Sequence, residues 1–457
     1  MTKKERFGAR DVTDLKVASR RRRTRANSER DFKALETRVV DSSRGLVRRP
    51  YLNSVPHYNM FDKGATSACF GHDYYTGVVR HDLRMLFLLW INLGWTTVRE
   101  LTSLINSFSD HLVGPDRDKY FMNLELSGGK TLHISGNMSQ TKAALQVLPL
   151  ALEPLLEQNE GMRHHASWNL LCEMVKLSAL LSSVALTDTQ VCEMQDVIEE
   201  YLNTRIAVAR DIDGVDADGL EEPGVMGAEN VLKPKHVVLL EYPSLVRQLG
   251  PLSFYATFAA ESKNGAMKEY MRSHGSYAYP LSSLKTHVES IENRDVLAGS
   301  EFEYRFMDSP YTDLPSGALE TLSASFGGKP PVASRCYHFT LHGSKYLPGS
   351  VVAFNERKDP RCETFNMGEI VALWGDDEES AGFLVRRLRK RLDKTFMVLL
   401  VRPEELYEVV VPEQLCCHEP YHPMRLPEPL GMVCALTCAP TVFGRLADLM
   451  GSVEDDS

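Results

Sequence analysis

The sequence lacks an apolar run long enough to cross a lipid bilayer. Its most apolar stretch, residues 85–93, is about half of the roughly 20 residues that a transmembrane helix requires. After the start, Met1-Thr2-Lys3-Lys4, there is no apolar segment of the kind that a secretory signal needs. We therefore expect an intracellular protein, nuclear or cytoplasmic, without a membrane partner.

Regularly spaced cysteines are also missing. The nine cysteines do not predict a disulfide framework, and no Cys-x-x-Cys pair of a zinc knuckle is present. One group near the C-terminus contains enough ligands for Zn²⁺: Cys416, Cys417, His418, His422, Cys434 and Cys438. Its two adjacent cysteines fit poorly on one tetrahedron, and buried thiols with surface histidines are the alternative explanation. We expect no bound metal there.

Acidic residues exceed basic ones, with a formal net charge of −9, but the excess is unevenly distributed. Residues 1–50 contain 16 Lys/Arg and 7 Asp/Glu, a balance of +9, so the remaining residues carry −18. A basic arm over residues 1–45 predicts a contact with nucleic acid or a nuclear address, and a solvated disordered arm is the alternative. The nucleic-acid-binding candidates in this arm are Arg20, Arg21, Arg22, Arg23 and Arg25.

Beyond the arm, apolar residues first recur at the three- and four-residue steps of helices. The predicted helical segments are about 72–108, 139–157, 165–183, 187–209, 234–249 and 254–274. A hairpin is predicted at 120–133, and residues 211–230 form an acidic, glycine-rich linker.

After residue 300, short β-rich runs alternate with turn residues, as in a small all-β barrel or sandwich. We assign a β-barrel-like domain to residues 325–428, and a C-terminal helix with an acidic tail to residues 429–457. The fold class is therefore α+β, with a mainly helical region over residues 46–295 and a small C-terminal all-β domain.

The segment from Lys233-Pro234-Lys235-His236 through Tyr242–Leu252 to Met271-Arg272 resembles a block of animal CACTA/EnSpm-type transposase-related proteins. In that family the block carries the last acid of a DDE nuclease site on an RNase H-like fold. The resemblance implies that Glu261 is this third acid. It also implies that three basic residues face phosphate: Lys263, Lys268 and Arg272.

A second family motif, Asp-x-Met-His, precedes a Glu-Gly-Val-Val-Arg sequence, which here reads Thr76-Gly77-Val78-Val79-Arg80. By this resemblance His72 falls on the motif histidine, and Cys69 occupies the position of the catalytic aspartate. A neutral Cys is a weak ligand for the hard Mg²⁺ ion. Asp73, one helical turn after Cys69, could replace the lost acid only with a shift of roughly 6 Å along the axis.

The resemblance covers roughly residues 44–425, including His342–Gly349 and Met367–Ile370 in the β-rich part. The family's first acid lies upstream of the portion represented, so residues 46–295 are expected to be a truncated remnant of the RNase H-like core. DDE cleavage needs carboxylates that converge on two metal ions. We therefore expect a catalytically inactive transposon-derived protein, which binds DNA or protein partners or is a decaying element product.

The alternative is an active Mg²⁺-dependent nuclease or transposase that uses Glu261 and Asp73. Mg²⁺ is expected as a cofactor only in that case. A scaffold that binds proteins but no DNA is a third possibility.

A compact basic cluster also occurs in the β-rich part. It consists of Arg386, Arg387, Arg389, Lys390, Arg391 and Lys394. Small β-barrels bind nucleic acid or peptide tails on such surfaces, and a solvated loop is the alternative.

Overall fold

Helices predominate up to Tyr255 and antiparallel strands predominate from Phe302 onwards, in agreement with the expected α+β class. The computed structural model describes residues 11–19, 69–107, 124–127, 131–183, 186–213, 232–255, 302–307, 314–327, 335–341, 344–355, 365–375, 381–393, 395–416, 420–421, 423–426 and 431–435. No helix in these stretches has both the length and the apolar character to span a bilayer.

The helical part combines α-helices with one π-helix, Gly71–Val79, which runs directly into the following α-helix. The α-helices are α1 (Val12–Ser19), α2 (Arg80–Asn92), α3 (Val98–Ser107), α4 (Met138–Ala151), α5 (Glu153–Gln158), α6 (Glu160–His164), α7 (Ala166–Ser182), α8 (Asp188–Asp213), α9 (Pro234–Leu239) and α10 (Tyr242–Leu249). A 3-10 helix covers Leu252–Tyr255. Strands β1 (Leu124–Ser127) and β2 (Thr131–Ile134) form the antiparallel hairpin that the sequence predicts.

Two of the predicted helices are each divided in two at a proline. The segment 139–157 forms α4 and α5, because Pro154 in the first turn of α5 cannot continue the hydrogen bonds of α4. The segment 234–249 likewise forms α9 and α10, with Pro243 in the first turn of α10. The predicted helix at 254–274 lies outside the described residues beyond Tyr255.

Helix α7 lies at the centre of the helical core. The side chains of its predicted apolar stripe are all buried: Trp168, Leu171, Val175 and Leu180. Trp90 of α2 donates from Nε1 to Ser167 Oγ at 2.8 Å, so its one polar atom is satisfied inside the core. The helical periodicity thus identified the buried face of α7 correctly.

In the β-rich part, the strands that the structure describes form two antiparallel sheets. The three-stranded sheet has the order β3-β4-β5, and the six-stranded sheet has the order β10-β11-β9-β8-β7-β6. The strands are β3 (Phe302–Met307), β4 (Arg335–Leu341), β5 (Ser344–Tyr346), β6 (Val351–Phe354), β7 (Asn366–Gly375), β8 (Ala381–Asp393), β9 (Val398–Val410), β10 (Pro423–Arg425) and β11 (Met432–Ala435). Helix α11 (Ser316–Ser325) packs against β8 and β9.

The six-stranded sheet curls, because the chain between β9 and β10 returns to β6. Val351 and Tyr421 exchange backbone hydrogen bonds at 2.8 and 2.7 Å, and the Asn355 N–H donates to the Gln414 carbonyl at 2.8 Å. These bonds cover an edge of β6 that would otherwise present unpaired backbone groups.

Three stretches take a form that the sequence left open or predicted otherwise. Within the arm, for which disorder was one of the alternatives, Val12–Ser19 is α1, because Val12 and Leu15 are buried and the Val12 N–H donates to Asn203 Oδ1 of α8 at 2.9 Å. Met432–Ala435, expected in a C-terminal helix, is β11, because its backbone pairs with β9. Val398–Val410, in the part where short β-rich runs are expected, is one long strand, β9, which continues through a bulge after Pro403.

Glu173 places a titratable carboxyl group between α7 and α8. Thr204 Oγ1 donates to its Oε1 at 2.9 Å, whereas Oε2 is buried and has no hydrogen-bond partner among the described residues. Burial raises the pKa of Glu173 to about 7; Glu200 adds to the rise, while Thr204 and Lys176 oppose it. The folded chain therefore binds this proton more tightly than the unfolded chain, and stability is lost as the pH rises from about 4.5 through 7.

Glu173→Gln is expected to remove this pH-dependent loss. Between about pH 5 and pH 8, the stability of the variant relative to wild type should rise by about 2–3 kcal/mol, since one pKa unit corresponds to about 1.4 kcal/mol. Urea unfolding at several pH values measures the difference. Glu320→Gln on the exposed side of α11 is the charge-matched control. If the stability difference between Glu173→Gln and wild type did not change with pH, the raised pKa of Glu173 would be contradicted.

Candidate functional site

The π-helix Gly71–Val79 is anchored by its inner face. Tyr74 and Tyr75 are fully buried; the Tyr74 hydroxyl donates to the Met174 carbonyl, and the Tyr75 hydroxyl lies 2.8 Å from Ser178 Oγ and 2.9 Å from Ser182 Oγ. These contacts fix the helix against α7. Its outer face consequently carries the candidate residues of the family motif, which are less buried.

Lys235 of α9 lies across this outer face. Its ammonium donates to the His72 carbonyl at 2.7 Å and lies 3.6 Å from Asp73 Oδ1. Thr76 Oγ1 donates to the same carbonyl at 2.9 Å. A Cβ added to Gly77 would come within 2.2 Å of Lys235 Cδ, so the absence of a side chain at position 77 makes room for the lysine. The nearest acid to Cys69 is therefore already paired with a cation.

Tyr242 of α10 lies close enough to Cys69 and Asp73 to be affected by their charges. The Asp73 N–H donates to the Cys69 carbonyl at 2.8 Å. Burial raises the pKa of the Asp73 carboxyl, and Lys235 opposes the rise. Burial also raises the pKa of Tyr242 well above its usual value, with further contributions from Asp73 and Cys69. The Tyr242 hydroxyl is buried and finds no hydrogen-bond partner in the described part of the chain.

The opposite side of α9 is joined to a fully buried carboxylate, Asp82 of α2. Arg205 Nε lies 2.8 Å from Asp82 Oδ1, and His236 Nε2 lies 3.1 and 3.2 Å from the two carboxylate oxygens. The Tyr201 hydroxyl donates to Asp82 Oδ2. None of these four side chains has measurable solvent exposure. The cluster joins α2, α8 and α9 and offers no direct access to a substrate.

The charges of this cluster can be assigned from its contacts. Burial alone would raise the pKa of Asp82, but Arg205 and His236 hold it well below its usual value, so the carboxylate is ionised. Burial lowers the pKa of His236, although Asp82 opposes this shift. The Lys233 N–H donates to His236 Nδ1 at 2.9 Å, so the neutral imidazole carries its proton on Nε2 and donates it to Asp82.

Three of the four predicted catalytic-site residues, Cys69, His72 and Asp73, are described by the structure and lie within one five-residue stretch. Glu261 lies outside the described residues, as do Lys263, Lys268, Arg272 and the arginines Arg20, Arg21, Arg22, Arg23 and Arg25. Among the residues that the structure describes, no group of three or more His, Cys, Asp or Glu side chains could hold a metal ion. Of the cysteines and histidines considered as zinc ligands, Cys416 and Cys434 are buried, whereas Cys417, His418, His422 and Cys438 are not described.

Two features of the site were not predicted from the sequence. The partner of Asp73, Lys235, comes from a segment more than 150 residues away. Asp82 could have been noticed in the sequence, because it is an acid in the helix that contains the most apolar run of the chain, residues 85–93. A charge at such a position indicates a buried partner, but it does not identify that partner.

Comparison with protein-family models, with curated proteins and with solved structures finds no match to this chain. The likeness of its motifs to a transposase family is therefore a prediction from the residues. The geometry of Asp73, Lys235 and Asp82 stands independently of that prediction.

Asp82→Asn is expected to destabilise the chain by about 3–5 kcal/mol, because it leaves the buried Arg205 guanidinium without its carboxylate. Urea unfolding measures the loss. Glu199→Gln is the matched control, because Glu199 forms a partly exposed ion pair with Lys16, with 2.5 Å between Nζ and Oε1. Its loss should cost under about 1 kcal/mol. Equal, small losses in both variants would show that the Asp82 charge is dispensable.

Lys235→Met is expected to raise the pKa of the Asp73 carboxyl further, because the lysine is the main group that lowers it. Carboxyl-carbon NMR titration measures this pKa. Gly77→Ala should act in the same direction by displacing the lysine side chain, whereas Lys235→Arg should preserve the interaction. Lys233→Met removes an equal charge nearby and serves as the control. An Asp73 pKa that is unchanged in Lys235→Met would refute the pairing.

Proposed function

We propose that this chain derives from a CACTA/EnSpm-type DDE transposase, lacks nuclease activity, and acts by binding DNA or a protein partner. The observation that carries the proposal is the pairing of Asp73 with Lys235, at 3.6 Å from ammonium to carboxylate. Asp73 is the acid that would have to replace the one absent at Cys69. A protein cation already lies beside it.

The packing of the two motif segments supports the proposed origin. A DDE site requires acids from separate segments to converge, so the motif around Cys69 should lie near the block that leads to Glu261. Here α9 contacts the π-helix through Lys235 and Asp73, and it contacts the following helix α2 through His236 and Asp82. The motif around Cys69 and the start of the block that leads to Glu261 are therefore packed together, as a DDE site would require.

The chemistry of the site supports the proposed loss of activity. Mg²⁺ requires hard oxygen ligands in near-octahedral geometry, and the Cys69 thiol is a soft ligand. A divalent ion at Asp73 would also meet the Lys235 ammonium and be repelled by it. A catalytic ion would have to displace this lysine while lacking the ligand at position 69.

A binding role is supported by the separation of charge along the chain. Residues 1–50 carry +9 while the remainder carries −18. We propose Arg20, Arg21, Arg22, Arg23 and Arg25 as phosphate contacts, with Lys263, Lys268 and Arg272 as further candidates. Because α1 packs on α8, deletion of the arm would also disturb the helical body, and substitution of the arginines is the cleaner test.

An active Mg²⁺-dependent nuclease is the second candidate, and one observation favours it. The Asp73 side chain is only 20% exposed, and its N–H bonds to the carbonyl of Cys69, so it lies close to the position of the lost acid. In this alternative Lys235, with 40% of its side chain exposed, moves away and Asp73 acts with Glu261.

A cleavage assay separates the two candidates. Incubated with supercoiled plasmid and either Mg²⁺ or Mn²⁺, the wild-type chain is expected to produce no nicked or linear DNA beyond the level of Glu261→Gln and Asp73→Asn. The reason is that neither Cys69 nor the paired Asp73 supplies a free carboxylate for the metal. Gel electrophoresis measures the products.

Mn²⁺ binding followed by electron paramagnetic resonance provides the positive control. Cys69→Asp should bind Mn²⁺ more tightly than wild type, because it restores the hard carboxylate ligand of the family motif at this position, and the isosteric Cys69→Asn should not. Metal-dependent cleavage by wild type that Glu261→Gln abolishes would overturn the proposal in favour of the nuclease.

A further inference from the structure

Three exposed arginines lie together on the hairpin formed by β8 and β9. Arg389 of β8 is directly opposite Arg402 of β9, and Arg391 lies two residues further along β8, opposite Leu400. Residues directly opposite in antiparallel strands share a face, and so do residues two apart in one strand. Arg389, Arg391 and Arg402 therefore form one surface, called here the arginine face.

Two further arginines of β8 form ion pairs with acids of the neighbouring strands. Arg386 pairs with Glu369 at 2.5 Å, and Arg387 pairs with Glu408. The carboxylate of Asp393 accepts the backbone N–H groups of Thr395 and Phe396 at 2.9 and 3.0 Å, which fixes the turn.

Lys390, between the two exposed arginines of β8, lies on the other side of the strand. Its ammonium is 4.1 Å from the centre of the Phe365 ring and donates to the Phe365 carbonyl. The basic cluster seen in the sequence is thus divided between two faces of the hairpin, and Lys394 lies outside the described residues.

The opposed pair of Arg389 and Arg402 has an energetic consequence. Like charges directly across two strands repel and destabilise the pairing. An anion bound between them would turn this repulsion into attraction. The planar guanidinium group suits a phosphate in particular, because it donates two parallel hydrogen bonds to it.

We propose that the arginine face binds the sugar-phosphate backbone of a nucleic acid, a proposal that rests on the binding role proposed above and locates a surface for it. In this geometry Arg389 and Arg402 lie about 5 Å apart across the strands, and Arg389 and Arg391 lie about 7 Å apart along β8. Three closely spaced cations match the closely spaced charges of a phosphate backbone. Base-specific contacts are not required by this arrangement.

Two exposed acids lie next to the arginine face and provide a second test of the proposal. Beyond Pro403, β9 has three residues, Glu404, Glu405 and Leu406, where β8 has only Arg387 between paired positions. All three are exposed in this bulge. Glu404 and Glu405 should repel a phosphate backbone at the end of the face, so their neutralisation is expected to strengthen binding.

Fluorescence anisotropy with a labelled DNA duplex of mixed sequence, measured over a range of salt concentrations, tests the proposal on the full chain. The triple variant Arg389→Gln/Arg391→Gln/Arg402→Gln should bind at least about tenfold more weakly, and the slope of log affinity against log salt should fall by about 3. Arg99→Gln/Arg163→Gln/Arg247→Gln removes the same charge from exposed positions of the helical part and should retain most of the affinity. Glu404→Gln/Glu405→Gln should bind more tightly than wild type.

Circular dichroism and urea unfolding establish that each triple variant remains folded. Equal weakening by both triple variants would overturn the proposal, because it would reflect net charge alone. Unchanged binding by the hairpin variant, with loss on substituting Arg20 to Arg25, would also overturn it but would leave the proposed function intact. Binding of polyglutamate and not of DNA would assign the face to an acidic protein and overturn it as well. The cleavage assay does not involve the hairpin, so it tests the proposed loss of nuclease activity independently of the arginine face.

Discussion

The position of α9 depends on the ionised carboxylate of Asp82, which is buried without solvent contact. A buried charge is tolerated only when paired and hydrogen-bonded, and here Arg205, Tyr201 and His236 meet that need from helices that are distant in sequence. Because His236 is held against Asp82, its neighbour Lys235, about 100° further round α9, is directed towards Asp73. The buried cluster and the surface ion pair are therefore two consequences of one placement of α9.

The same placement determines what the candidate site can do. The π-helix presents His72 and Asp73 outwards because Tyr74 and Tyr75 fasten its inner face to α7. π-Helical turns redirect side chains relative to a regular helix and occur often at functional sites. Here the redirected carboxylate meets an ammonium group of the protein. The Lys235 ammonium balances the charge of the Asp73 carboxylate without a bound ion. An open cluster of carboxylates, in contrast, needs a metal ion to offset the repulsion among its negative charges.

The sequence predicted those features that depend on local pattern. The apolar stripe of α7, the hairpin of β1 and β2 and most strands of the β-rich part follow from residue spacing and turn residues. Features set by distant contacts were missed. Val12–Ser19 becomes helical because α8 covers its apolar side, and Met432–Ala435 is a strand because β9 offers it an edge. Within the site, Cys69, His72 and Asp73 are close because they lie within five residues of sequence, and only the packing of α9 brings Lys235 to Asp73.

The hairpin of β8 and β9 is connected to the helical part by its tip. Trp168 Nε1 donates to the Thr395 carbonyl at 3.2 Å, and Cys172 Sγ lies 3.4 Å from the same oxygen. Phe396 and Met397 enter the core that the helices share. A surface held in this way loses little conformational entropy when it binds a partner. The arginines of β8 are thus presented from a strand that the helical part supports.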